Sequence, residues 1–322
     1  MGASGGRGKR GLTVAVVALV AALIPIVPQP AGGATDGPAL SVAEDRLESS
    51  LACPGHFAGE HEPVLLVHGT ATNTRDSWSW NYLRALPARG FTVCTVELPD
   101  RALGDIQVST EYVVYAIRRI SAAFGRRVDV IGHSQGSLEA RWALRWWPDI
   151  RNRVDDDISL GGPHHGASGA DQFCITGSCA PAAQQMRRGA RFLAALNAGD
   201  ETPGDVDYTS VFSLHDELVQ PPSSAQLAGA VNVLVQDLCP ARYVHHAGLV
   251  HDPAVFHVVL DALTQPGPAE PTRFDPATCH QAWMPGVREP VSGNVMLYGW
   301  ALVAVSIHDT VAEEPPLAPY AR

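Results

Sequence analysis

Positive charge is scarce in this 322-residue chain. Lysine and arginine total 23 against 33 aspartates and glutamates, for a net charge of −10. Lys9 is the only lysine, so almost all positive charge sits on arginine, a trait of composition rather than of mechanism. An acidic body repels phosphate backbones, which excludes nucleic acid as a partner but leaves neutral and lipid substrates open. Long apolar runs are scarce as well. The one present, LTVAVVALVAALIPIV (Leu12–Val27), is shorter than the ~20 residues of a spanning helix and is cut by Pro25 and Pro28, which excludes stable membrane insertion. Cysteine pairs at zinc spacing are missing, so no metal role is expected of the cysteines. Internal repeats and low-complexity tracts are missing too, which excludes a repeat array.

What is present begins with an export signal. Arg7, Lys9 and Arg10 precede the apolar run, and PQPAGGA follows it with breakers and small residues. This pattern predicts a signal peptide over residues 1–34, cleavage near Ala34 and a secreted, extracellular protein. Cleavage there removes three positive charges and no negative ones, taking the net charge from −10 to −13. Residues 35–322 suffice for one large domain. All six cysteines (Cys53, Cys94, Cys174, Cys179, Cys239 and Cys279) follow the signal. An even number in an exported chain implies three disulfides among fifteen possible pairings. Nearest-in-order pairing joins Cys53 to Cys94, Cys174 to Cys179 and Cys239 to Cys279; the CITGSC loop is the most local of these.

From Val64 onward, short apolar runs alternate with helical patterns. VLLV (64–67), FTVCTVEL (91–98), RVDVIG (127–132), DISLGG (157–162), TSVFSL (209–214) and VNVLVQD (231–237) read as strands. SWSWNYLRALPARG (77–90), STEYVVYAIRRISAAFG (109–125) and QGSLEARWALRWWP (135–148) read as helices; in the second, Tyr112, Val113, Ala116, Ile117 and Ile120 mark one apolar face. This alternation predicts an α/β fold with a mostly parallel central sheet and helices on both faces. Residues 166–205, rich in Ala, Gly and Gln, fit no strand and read as a small cap over the sheet. Beyond Gln265 an irregular, proline-rich tail (266–322) follows, in which NVMLYGWALVAVSI predicts a further packed element.

The sequence VIGHSQGSLEARWALRWWP (Val130–Pro148) carries the chemistry. Gly132-His133-Ser134-Gln135-Gly136 follows an apolar strand and opens a helix, the setting in which GxSxG marks a nucleophile elbow. A serine hydroxyl needs a base, and the base needs an orienting acid, in the chain order Ser, Asp or Glu, His. Asp216, just past TSVFSL, is the expected acid, with Glu217 its rival. Of the histidines that follow, His246 in YVHHAGL is the expected base, ahead of His245; His251 and His257 are placed on a later helix or its surface. Oxyanion donors are expected from the backbone of Gln135 and from Thr70, in the HGTATN loop after VLLV. His68 in that loop is read as structural support. His164 and His165 in GGPHHGASGAD are placed on a loop at the rim and are not expected to chelate a metal together.

These segments, taken in order, resemble the secreted lipases of the Candida antarctica lipase B type, a branch of the α/β-hydrolases. LLVHGTATN, DIQVSTEYVVYAI, SQGSLEARWALRWWPDIRNRVD, SLHDELVQPP, HHAGL and the terminal PLAPYAR carry the likeness over about residues 47–265 and the tail. The resemblance implies Ser134 as nucleophile, Asp216 as acid, His246 as base and Thr70 with Gln135 for the oxyanion. It also implies the Cys53–Cys94 and Cys239–Cys279 disulfides. The chain departs from the pattern at Gly132, where those lipases carry a threonine, and at His164, about where they carry an aspartate near the pocket. The activity implied is that of a triacylglycerol lipase, a cofactor-free monomer working on lipid esters at an oil–water interface. A short-chain carboxylesterase or a polyester- or amide-cleaving relative would use the same residues. A non-catalytic binding protein of this fold would lack one of them.

Overall fold

The structure, a computed structural model, describes residues 1–2, 36–53, 59–287 and 309–322. The apolar run and the cleavage site of the expected export signal, and the NVMLYGWALVAVSI stretch, lie outside the described residues. Among the described residues seven strands form one sheet: β1 (Leu51–Ala52), β2 (Val64–Val67), β3 (Val93–Val96), β4 (Val128–His133), β5 (Val154–Leu160), β6 (Asp207–Phe212) and β7 (Val231–Leu234). Their order is β1-β3-β2-β4-β5-β6-β7. Only β1 runs antiparallel; every other pairing is parallel. β2 is buried at all four positions, as a strand covered on both faces must be. Leu65 and Val67 point into one core with Val113 and Ile117 of helix Ile106–Phe124 and with Leu138 and Trp142 of helix Gly136–Trp146. Val64 and Leu66 point into the other with Trp78, Tyr82 and the apolar residues of helix Pro253–Thr264. Successive residues of a strand face opposite ways, so one four-residue run feeds both cores.

The helix over Ile106–Phe124 starts where Asp105 accepts a hydrogen bond from the Gln107 amide (2.9 Å) and ends at Gly125, whose φ is +66°. Three elements differ from the sequence expectation, among them VNVLVQD, whose strand stops at Leu234 and gives way to a helix over Val235–Leu238. SWSWNYLRALPARG is a series of short turns, Thr74–Trp78, Tyr82–Ala85 and Pro87–Arg89, because Asn81 leaves the helical region (φ −137°, ψ −100°) and Pro87 restarts the chain. β5 begins three residues earlier than expected, at Val154. Asp155 and Asp156 lie ahead of the expected strand, yet the chain is already extended there, and Asp156 pairs with Asp207 of β6.

The segment 166–205 folds as three short helices, Ser168–Phe173, Pro181–Gln185 and Arg191–Leu196. The tail holds it down. Val311 and Cys179 exchange backbone hydrogen bonds of 2.8 and 3.1 Å, and Glu314 accepts from the Arg191 and Phe192 amides. Farther on, Tyr320 packs against Trp146 and Trp147, and its hydroxyl accepts from Trp142 Nε1 at 3.2 Å. The disulfides are Cys53–Cys94, Cys174–Cys179 and Cys239–Cys279. Among the described residues no helix is long and apolar enough to cross a membrane.

Candidate active site

The chain leaves β2 for β3 on one side and then returns to place β4 on the other. Strand order reverses between β2 and β4, and a crevice opens beyond their carboxyl ends, where ligands bind in open α/β sheets. Ser134 stands there, immediately after β4, and Gly69-Thr70 immediately after β2. Ser134 has φ +56°, in the left-handed region that a serine adopts only under constraint. Its amide donates to Leu160 O (2.9 Å) and its carbonyl accepts from the Ser137 amide (3.1 Å), which locks the turn. The flanking glycines are required by contact: a Cβ on Gly132 would lie 2.6 Å from Ser137 N, and one on Gly136 2.5 Å from Val67 O.

Asp216 lies just beyond β6 and is buried. Its Oδ1 accepts from the Leu218 and Val219 amides (2.9 and 2.8 Å), and its Oδ2 accepts from His246 Nδ1 at 2.7 Å. Burial works to raise the Asp216 pKa, but the His246 charge and these hydrogen bonds outweigh it and hold the carboxyl below its ordinary value. For His246, burial works downward, while Asp216 and, less strongly, Glu217 raise the imidazole above 6.5. Glu217 is thus turned to the base without taking its ring: its Oε2 accepts from the His246 amide at 2.9 Å.

Ser134, His246 and Thr70 line one cavity of about 380 Å3, within the usual range of ligand pockets. Its walls are mostly apolar and small, among them Leu103, Ala167, Ala170, Ala180, Ala183 and Met186. Most of these belong to the 166–205 segment. Thr70 Oγ1 donates to Gln135 Oε1 at 2.6 Å, joining the two predicted oxyanion residues. His68 accepts from the Leu98 amide at Nε2 (3.0 Å) and donates from Nδ1 to Gly69 O (3.0 Å), bracing the loop below the cavity. Burial keeps its pKa below 6.5.

The other histidines separate by position. Pro163 reaches the cavity wall but His164 does not; buried, it meets Ser159 Oγ through Nε2 (2.9 Å) and Arg141 through Nδ1 (3.5 Å). His165 pairs with Glu201 (3.0 Å), so the two rings engage different partners. His257 lies on helix Pro253–Thr264, whereas His251 is buried just before it, against Trp80 and Trp283. Two residues of the site escaped sequence reasoning. His133 lines the cavity and donates from Nε2 to His246 O (3.3 Å), and burial, then His246, depress its pKa to about 3. Glu139, fully buried on the helix after the elbow, accepts from Gln135 Nε2; burial pushes its carboxyl up to about 8. Its one signal in the sequence is an acid next to the apolar Leu138–Trp142 stripe. Among the described residues a single acidic group has metal-like spacing, Asp129, Asp155 and Asp156, at the opposite end of the strands. Arg127 already pairs with Asp155 there (3.0 Å).

A doubly covered, mostly parallel sheet with a serine elbow after its central strand defines an α/β-hydrolase. A sequence model of the lipase (class 2) family matches residues 61–255. The chain is 31% identical to lipase B of Pseudozyma antarctica over 301 residues, 88% of this chain and 86% of that protein. The crystal structure of Aspergillus fumigatus lipase B superposes with a TM-score of 0.82 at 29% identity, over 92% of this chain and 76% of that one. Bacillus licheniformis lipase BlEst2 in its propeptide form shares the fold alone (TM-score 0.55, 20% identity, 68% of this chain and 55% of that one). The protein belongs to the lipase (class 2) family and is a hydrolase of the lipase and esterase kind.

Proposed function

We propose that the protein is a secreted triacylglycerol lipase, its 35–322 segment forming one catalytic domain that acts as a monomer. Ser134 attacks the ester carbonyl while His246 takes its proton, and the Thr70 and Gln135 amides hold the oxyanion. His246 then protonates the leaving alcohol, an acyl-serine remains, and water releases the acid by the same steps. Asp216 keeps the His246 Nδ1 proton in place, leaving Nε2 as the base, and stabilises the imidazolium.

The observation that carries this reading is the buried His246–Asp216 pair at 2.7 Å beside a serine at φ +56°, with serine and histidine on one apolar cavity. Action on lipid is supported by Phe173, which lines the cavity and is 43% exposed, and by Ile175, two residues further on and 83% exposed. Three disulfides support export. Initial rates on p-nitrophenyl esters from acetate to palmitate and on emulsified triolein, with wild type and Ser134→Ala, test the proposal. Turnover of long chains and of the emulsion, lost in the variant, is the expected result. Turnover of acetate and butyrate alone would make it a short-chain esterase.

A further inference from the structure

Glu139 lies one helical turn after Gln135 and is fully buried beside Leu138 and Trp142. An acid in such surroundings is costly unless it is given donors. Its Oε1 has two, Ser109 Oγ and Gln135 Nε2, each at 2.8 Å, while Oε2 is buried without a partner among the described residues. A carboxamide has one donating and one accepting end. With the NH2 of Gln135 turned to Glu139, its oxygen faces the other way, and there Thr70 Oγ1 donates to it at 2.6 Å. All the protons of this chain therefore run toward Glu139: Thr70 to Gln135 to Glu139, with Ser109 closing from helix Ile106–Phe124. The chain ties the loop after β2 to the first turn after the elbow, the two segments that carry the proposed oxyanion donors.

Resting on the proposed reaction at Ser134, we infer that Glu139 is a positioning residue for the oxyanion hole. It fixes which way round the Gln135 carboxamide stands and so holds Thr70 in register with the elbow. Glu139 touches no substrate and acts only through Gln135. An apolar side chain in its place strands the Gln135 NH2 without a buried acceptor, and the carboxamide is free to turn its donor end against Thr70. Oxyanion charge develops only in the transition state, so the loss falls on kcat and leaves KM nearly unchanged.

The test compares Glu139→Met and Glu139→Gln in the full chain on p-nitrophenyl butyrate, with Ser134→Ala alongside. Glu139→Met is expected to lower kcat by about 10–100-fold, up to the scale of a misplaced group and below the roughly 100–1,000-fold of a donor lost outright. Glu139→Gln keeps a carbonyl oxygen for both donors and is expected to restore most of the rate. Combining Glu139→Met with Gln135→Met should cost no more than either change alone, since both cut one link. Wild-type kcat in folded Glu139→Met, or equal losses in the Met and Gln variants, overturns the inference. Should Glu139→Met not fold, Gln135→Met cuts the link from its other end, and unchanged kcat there overturns it equally. Turnover surviving in Ser134→Ala would instead bring down the reaction on which the inference rests.

Discussion

The two ends of the sheet treat the same side chain in opposite ways. At the carboxyl end Asp216 is buried yet held below the ordinary carboxyl range, by His246 and two backbone amides. At the amino end Asp156, equally buried, is pushed up to about 9, first by burial and then by Asp129, Asp207 and Asp155, with Arg127 opposing. Asp129 is raised as well, by burial, Asp155 and Glu62. Burial acts alike on both; what differs is the supply of donors. Asp216 has three hydrogen-bond donors on its two oxygens, whereas Asp129 Oδ1 and Asp156 Oδ1 have none. Asp216 is built to keep a charge, Asp156 to keep a proton.

The comparison is broken most severely by Ser134→Ala, which should lower kcat by on the order of 10⁴–10⁶ without unfolding the protein, measured on p-nitrophenyl butyrate. Asp216→Asn follows, with a loss of about 10⁴. It also tests the electrostatics. Asp216 raises His246, and the base must be neutral to act, so wild-type activity falls as pH drops through a value above 6.5. Without the carboxylate, that limb of the pH–rate profile should move to lower pH. Asp156→Asn addresses the other end and should leave the rate alone. The native state keeps the Asp156 proton up to about 9, whereas the unfolded chain releases it near 3.8. Stability from this group is therefore full below the unfolded value and is lost as pH rises through that window. An amide removes the dependence, so Tm at pH 8 should rise by a few degrees, about 2–4 °C for each kcal/mol recovered. An unchanged Tm between pH 5 and 8 in wild type would show that Asp156 is ionised in the fold. Smallest is Glu217→Gln, which should shift the acid limb slightly downward and cost less than about tenfold in kcat, because Glu217 meets the His246 amide and not its ring. A loss as large as that of Asp216→Asn would exchange the roles of the two acids.

Much of the carboxyl end was legible in the sequence, because its constraints are local. GxSxG between a strand and a helix leaves few conformations, and an acid and a histidine past later strands are brought to the same edge by parallel topology itself. The amino end was not legible. Asp155 and Asp156, ahead of the expected start of β5, defy the apolar pattern by which a buried strand is recognised, and Asp156 is held extended by its pairing with β6. β1, two residues long, carries no periodicity at all. Glu139 stayed hidden for a related reason: Ser109, one of its donors, lies 30 positions earlier. Its partner Gln135 is a helical neighbour whose carboxamide orientation no sequence pattern specifies. His251 was misplaced because burial against Trp80 and Trp283 depends on contacts from distant segments.

Tyr320 gives the fold a schedule. The helix behind Ser134 receives its last ring from a residue 178 positions after Trp142. In sequence, every named strand of the sheet precedes that ring, so the contact that completes this wall is one of the longest-range in the fold. Long-range closures of this kind are slow, and chains waiting for them expose apolar surface. The wall behind the elbow helix is thus closed from far along the chain: without Tyr320, Trp142 Nε1 would lose its acceptor and Trp146 and Trp147 the ring that packs against them.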